Sequence, residues 1–292
     1  MANLSVLMPV YNASCFLEHA VESILQQSYT DFELIVINDG STDNSLEILE
    51  RYSDPRIKLI HNGTNSGIVS SLNCGLNAAS GAYIARMDAD DYSLPDRFKA
   101  QIQFMDLHPE IGVCGTQYRI MGSPPHGDGG LSTALPCDPD IVACSLLINC
   151  CLAHPSVMLR RRVLDRLHSP PYDPDYQHAE DYHLWARLSA ITRIANLEQC
   201  YLYYRQHDLQ LSRTRRLEQL RQADRIRLDL LNGMGLVPTS EEWELHLNLC
   251  YSRRSGDGSE REWIRKILFR NLSARRYDQL ALMDVLNSVW RG

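Results

Sequence analysis

The first third of the chain repeats one unit: a short apolar, β-rich run, a cluster of polar turn formers, then apolar residues at helical spacing. Residues 5–10 are one such run, followed by Phe16, Ala20 and Ile24. Residues 32–37 are a second, closed by Asn38-Asp39-Gly40-Ser41-Thr42-Asp43 and leading into Leu46 and Leu49. Residues 57–60 lead through a turn at 65–67 into Val69, Leu72 and Leu76, and residues 82–85 run into Arg86-Met87-Asp88-Ala89-Asp90-Asp91. Strands that alternate with helices of about a dozen residues build βαβ units and a mainly parallel sheet, whose ligands sit at the carboxyl ends of the strands. The polar clusters all follow candidate strands, so they are expected on one rim. Clustered carboxylates there repel one another, and a divalent cation held by one or two of them together with substrate phosphates relieves that repulsion. A lone Asp-Xaa-Asp reads more readily as a solvated turn, and the shared rim is what argues against that reading.

At 292 residues with 44% hydrophobic side chains, the chain can bury a substantial core. Its formal net charge of −7, with no Lys or Arg in the first fifty residues, excludes nucleic acid as the partner of the whole chain. The N-terminus lacks the positive region of a standard secretory signal. The longest nearly apolar run, residues 141–153, is broken by Ser145 and Asn149 and falls short of the roughly 20 residues a spanning helix needs. Nine cysteines without any Cys-x-x-Cys pair signal neither a zinc site nor a disulfide framework, so reduced thiols and a cytoplasmic location are expected.

Further along, Pro95 is read as the first residue of a helix carrying Phe98, Ile102 and Met105, and residues 113–121 as a strand. The Pro- and Gly-rich stretch 122–136 is a connector or part of a lid. A helix is expected from residue 138, a short strand at 155–159, a helix from Glu180 through Leu184, Trp185 and Leu188, and a last strand at 201–204. Everything beyond Arg213 reads as helix, at residues 213–232, 241–251, 261–272 and 277–290. The expected division is therefore a catalytic domain at 1–212 (donor half 1–100, acceptor half 101–212) and a helical region at 213–292.

The ordered set Met8-Pro9-Val10-Tyr11-Asn12, Glu33, Asn38 to Asp43, Asn65-Ser66-Gly67, Arg86 to Asp91, His154-Pro155, Glu180-Asp181 and Tyr204-Arg205-Gln206-His207 resembles glycosyltransferase family 2 over about the first 210 residues. Each motif is weak alone; their order and spacing together are specific. The resemblance implies a GT-A fold, a nucleotide-sugar donor, a divalent metal and transfer with inversion at the anomeric carbon. It assigns Asp90, with His207, to the metal, Mn²⁺ or Mg²⁺. Asp88 falls towards the donor, and Asp91 is a ligand or a cap. Asp39 matches the position that reads the nucleobase, flanked by Pro9, Val10, Tyr11 and Asn12. Asn65, Arg86, Ala89 and Arg205 complete the donor side, and Arg205 either pairs with diphosphate oxygens or holds the acidic rim together. Asp181 matches the general base, at a helix N-terminus that favours anionic side chains. His154, Glu180 and Trp185 fall on the acceptor side, while Glu33 and Asp43 read as loop braces.

The resulting expectation is a UDP-sugar-dependent transferase acting on a glycan or lipid-linked acceptor in surface polysaccharide or lipopolysaccharide synthesis. A sugar nucleotidyltransferase is the alternative enzyme, but its usual Gly-rich loop with an N-terminal basic residue is missing. A non-catalytic nucleotide-sugar-binding protein is the other alternative, and it would be expected to have lost Asp39, Asp88, Asp90 and Asp181. Arg213, Arg215, Arg216, Arg221, Arg225 and Arg227 open the helical region, either as a membrane-binding face or as a solvated face packed on the catalytic domain or a second subunit.

Overall fold

The computed structural model describes residues 2–122, 132–207, 215–253 and 258–291. The repeating unit folds as expected. β1 (Leu4–Val10), α1 (Leu17–Leu25), β2 (Phe32–Asp39), α2 (Ser45–Glu50), β3 (Ile57–Asn62), α3 (Ile68–Ala78) and β4 (Tyr83–Arg86) follow in order. β1 pairs in parallel with both β2 and β4, with Leu7 opposite Ile35 on one side and Arg86 on the other. β3 extends the parallel set from β2. β2 and β4 are buried along their whole lengths, as strands covered on both faces must be.

Glu33 is a brace at the far end of this set. Its carboxylate accepts from Ser5 Oγ at 2.6 Å and from the Ser80 amide at 2.8 Å, and pairs with Lys58 at 2.5 Å. Burial works to raise its pKa, yet Lys58, Ser5 and Ser80 overcome that and hold it at about 2.

The second half completes the sheet with strands of mixed direction. It comprises β5 (Tyr92–Ser93), α4 (Arg97–Leu107), β6 (Ile111–Gly122), β7 (Ser132–Thr133), α5 (Pro139–Ser145), β8 (Met158–Arg160), α6 (Arg161–Leu164), α7 (Glu180–Leu188) and β9 (Arg193–Gln206). The strand order is β3-β2-β1-β4-β8-β6-β9-β5, with β7 beside β6. β8 runs antiparallel between β4 and β6, whereas β9 runs parallel to β6.

Three expectations needed correction. Pro95 lies ahead of its helix, because Asp96 occupies the cap position and α4 starts at Arg97. The strand expected at 155–159 is split: residues His154–Ser156 form a 3-10 turn and only Met158–Arg160 join the sheet. The last strand is far longer than the 201–204 apolar run, since Arg193–Gln206 pairs along the length of β6 through register shifts. The proposed boundary at 212/213, Arg213 and most of the stretch 122–136 lie outside the described residues.

Four helices follow: α8 (Arg216–Gly233), α9 (Ser240–Cys250), α10 (Glu260–Ala274) and α11 (Gln279–Arg291). Their core is shared with the catalytic part, because Leu147, Ile148 and Cys144 pack with Leu231, Trp263, Ile267 and Leu282. No described helix is long and apolar enough to cross a membrane.

The arginine run of α8 divides into two kinds. Arg227 is buried, donating to the Ile148 carbonyl at 2.8 Å, to Asn149 Oδ1 at 3.1 Å and to Asp224 at 2.6 Å. It belongs to the joint between the helices and the catalytic part rather than to any free basic face. Arg225 lies over the Tyr176 ring, whereas Arg215, Arg216 and Arg221 are exposed. Arg227→Met is expected to leave buried acceptors unpaired and lower unfolding free energy by about 3 kcal/mol. Urea denaturation measures this, and an unchanged midpoint would refute the clamp.

Candidate active site

The carboxyl ends of β1, β2 and β4 open on one side of the sheet, and the loops that follow them are locked together by short polar contacts. Asn12, in the left-handed region at φ 50°, accepts the Thr42 amide at 2.8 Å through Oδ1, while its own amide donates to Ser41 Oγ at 3.0 Å. Asp43 accepts the Ser14 and Ser45 amides, each at 3.0 Å. Burial works to raise the Asp43 pKa, but these donors outweigh it and lower it. Asp43 is thus a brace, tying the β1 loop to the start of α2. The side chains of Val10 and Ala89 are buried in the core, and Pro9 is half-buried. Tyr11 is 50% exposed, an aromatic face open to solvent at the end of β1.

Asp39 ends β2 almost completely buried. Its Oδ1 accepts from Asn62 Nδ2 at 2.8 Å and from the Ser66 amide at 2.9 Å, and its Oδ2 accepts the Gly67 amide at 2.8 Å. Asn65 closes the same turn by accepting from Gly67 at 3.0 Å. Gly40 touches this loop from the other side at φ +67°, and a Cβ there would lie 2.6 Å from the Thr64 carbonyl carbon. Only glycine fits both the conformation and the contact. Gly40→Ala is expected to force the two loops apart, costing about 1–3 kcal/mol of stability. Thermal denaturation tests this, and an unchanged Tm would refute it.

The acidic cluster follows β4. Oxygen atoms of Asp88, Asp90 and Asp91 all lie within 4.8 Å of one another. Arg86 is buried and ion-paired with Asp88. Its burial would disfavour the charged form, but the Asp88 carboxylate overcomes that and keeps the guanidinium charged. Burial, then the charge of Asp88, raises the Asp90 pKa, and burial with Asp88 and Asp90 raises Asp91 well above the ordinary range. Asp91 Oδ1 accepts the Arg205 amide at 2.8 Å, while its Oδ2 is buried without a partner.

The end of β9 reaches the same place. His207 Nε2 lies 2.9 Å from Asp90 Oδ2, and Arg205 Nε donates to the Asp90 carbonyl at 2.7 Å. Phe16 lies beneath both, with the Arg205 guanidinium 4.5 Å and the His207 ring 5.2 Å from its ring centre. The donor set fits a divalent cation: clustered carboxylates, a raised pKa that a cation would lower, an orphaned buried oxygen and an adjacent imidazole.

Glu180 and Asp181 open α7. Asp181 accepts the Tyr182 amide at 2.7 Å. Burial raises its pKa, with Arg86 acting to lower it and Asp88 to raise it, so the base candidate and the acidic cluster share one field. Glu180 is buried with Oε2 unpartnered. Burial and the Asp181 charge push Glu180 up to about 7. The folded chain then keeps a proton between about pH 4.5 and 7 that the unfolded chain has released, so this group lowers stability as pH rises through that window. Glu180→Gln is expected to flatten the fall, recovering up to about 3 kcal/mol above it. Urea unfolding at about pH 5 and pH 8 checks this, and parallel pH curves for both proteins would sink it.

His154 is buried against Tyr172, its Nε2 3.0 Å from the hydroxyl. Burial, then the Arg86 charge, lowers its pKa well below the ordinary value, so it is a neutral imidazole. Trp185 is fully buried, meeting His154 edge-on at 6.0 Å, and offers an acceptor no surface. It is part of the core on which His154 rests.

Several supporting contacts escaped sequence reasoning. Arg97, fully buried, donates to the Arg86 and Val157 carbonyls at 2.8 and 3.2 Å, fixing the backbone from which the acids depart. Asn38, buried at the end of β2, is 3.0 Å from His61 Nδ1 and accepts the Ser41 amide at 3.2 Å. Phe16 and Tyr172 carried only the signal of an apolar position.

These features agree with comparison to known proteins. The family model described as glycosyl transferase family 2 matches residues 5–167. The chain is 34% identical over 254 residues to an uncharacterized glycosyltransferase of Haemophilus influenzae, covering 80% of this chain and 76% of that protein. It is 30% identical over 225 residues to the Escherichia coli UDP-Glc:alpha-D-GlcNAc-diphosphoundecaprenol beta-1,3-glucosyltransferase WfaP, covering 77% and 85%. Its fold matches residues 1–349 of Staphylococcus aureus TarS, solved in complex with UDP, with a TM-score of 0.63 at 20% identity over 99% of this chain and 92% of that one. The expected GT-A architecture, a mainly parallel mixed sheet with C-terminal helices, is the one observed. On the matched span and on these relatives, the chain belongs to glycosyl transferase family 2.

Proposed function

We propose that the chain transfers a hexose or N-acetylhexosamine from a UDP-sugar to a lipid-linked glycan acceptor, with inversion, at the cytosolic face of a membrane. The observation that carries this reading is the convergence of Asp88, Asp90, Asp91 and His207 beside the loops of Asp39 and Tyr11. The naming of WfaP for a UDP-Glc donor and a diphosphoundecaprenol acceptor supports the choice of substrates.

In this reading Tyr11 stacks on the uracil, while the Asp39 carboxylate meets its imide and shapes the surrounding loop. Asp88, kept charged beside Arg86, faces the donor sugar or ribose hydroxyls. Asp90, with Asp91 and His207, would hold a divalent metal, which supplies Lewis acidity to the departing diphosphate. Arg205 holds the acidic rim and adds positive charge beside the phosphates. Asp181 takes the proton from the acceptor hydroxyl as it attacks the anomeric carbon from the face opposite the leaving diphosphate. Glu180 and His154, both held by burial, set the position of that base and of the acceptor.

A donor-hydrolysis screen across UDP-, GDP- and dTDP-sugars, with and without Mn²⁺ and EDTA, tests the reading. UDP-sugar turnover that needs the metal is the expected result. Preference for another nucleotide would overturn the role of Asp39, and full activity in EDTA the role of Asp90.

A further inference from the structure

Among the described residues, two successive helices expose large apolar side chains that neither core nor catalysis explains. Phe269 is 78% exposed and Leu272 59% on α10, and Leu280 and Met283 are exposed on α11. The inner face of α10 is already filled by Trp263, Ile264 and Ile267, so Phe269 and Leu272 add nothing to the core. Arg265, Phe269 and Leu272 stand at i, i+4 and i+7, a single stripe along the outside of the helix. Over residues 260–284 six cations, Arg261, Arg265, Lys266, Arg270, Arg275 and Arg276, stand against four acids, of which Glu262, Asp278 and Asp284 are exposed and Glu260 is buried. Some of these cations are engaged, since Lys266 pairs with Glu242 and Arg270 donates to the Met234 carbonyl. Arg265 and Arg275 stand exposed at either side of the apolar pair.

We propose that the α10–α11 face, with Phe269, Leu272, Leu280 and Met283 beside the exposed arginines of α10 and the turn after it, lies on an anionic lipid surface. Exposed apolar side chains enter the acyl boundary while flanking cations meet lipid phosphates, and each kind of contact is weak without the other. A second copy of the chain fits poorly, because a twofold contact would bring the same cations against themselves. A nucleic acid fits poorly as well, since the aliphatic Leu272, Leu280 and Met283 offer no stacking surface. This places the membrane contact on α10 and α11 rather than on the arginines that open α8. It deepens the lipid-linked acceptor reading by giving the enzyme a way to lie beside such an acceptor, although vesicle binding does not depend on the chemistry.

The test is flotation of the full chain with phosphatidylglycerol vesicles and with phosphatidylcholine vesicles. Salt-sensitive binding to the anionic vesicles alone is expected, reduced at least tenfold by the double substitution F269D/L272D and unchanged by R215Q/R216Q/R221Q. All three positions of the triple variant and both of the double are exposed, and donor hydrolysis in each should equal wild type. No flotation of the wild type, flotation of F269D/L272D at wild-type level, or loss of binding in the triple variant would each overturn the proposal. So would a concentration-dependent dimer that F269D/L272D abolishes without any vesicle binding. Loss of donor turnover in the wild type would defeat the transferase reading and leave this one standing.

Discussion

Replacing Asp181 with asparagine is expected to lower turnover by about 10²–10⁴-fold, the range by which a positioned acid or base assists proton transfer. The amide keeps the size of the side chain and can still accept the Tyr182 amide, so α7 should start as it does in the wild type. What is lost is the ability to hold the acceptor proton. Donor affinity, set by the ends of β1, β2 and β4, should change little. Steady-state kinetics with the acceptor, beside UDP titration by calorimetry, separates the two, and wild-type turnover in the variant would remove Asp181 from the chemistry. A parallel loss of UDP affinity would instead show that the carboxylate is structural.

Asp90→Ala should have an effect of similar size by a different route. Its carboxylate is the member of the acidic cluster within hydrogen-bond distance of His207, so it links the β4 and β9 ends of the site. Removing it deletes the proposed metal ligand and frees the imidazole. Stabilising the charge on a departing diphosphate is worth several kcal/mol, so turnover should fall by more than about 10³-fold. Mn²⁺ binding, followed by its paramagnetic resonance, should weaken in step. Retained activity insensitive to EDTA, in either wild type or variant, would exclude the role.

The fold was most legible where the signal is local. β1, β2 and β3 and their helices announce themselves because both-face burial demands apolar runs, and the turns between them demand Asn, Asp and Gly. β9 was read only in part, because its first half, Arg-Ile-Ala-Asn-Leu-Glu-Gln-Cys, interleaves polar residues and owes its strand to pairing with β6. The acids of the site were visible as motifs and the resemblance divided their labour, yet the contacts that brace them were not visible. Asp39 looked like a ligand-facing carboxylate and proves also to be the anchor of the Ser66–Gly67 amides, a role that only long-range contact reveals. Arg97 and Phe16 were invisible for the same reason, being an ordinary helix arginine and an ordinary apolar residue until the chain brings other segments to them. In the tail, charge counting left Arg227 on either a membrane face or a solvated face packed on the catalytic domain or a second subunit, and burial gives it to the joint.

The contacts from β9 to the acidic cluster carry a further consequence, for the order in which the molecule matures. Asp90 and His207 are 117 residues apart, and Asp91 and Arg205 are 114 apart, so that end of the site closes only when a very large loop has been closed. The nucleotide loops depend on separations of about thirty residues, such as Asn12 to Thr42. During refolding, capacity to bind UDP should therefore return ahead of capacity to transfer sugar, with a silent interval in which the chain captures donor without consuming it.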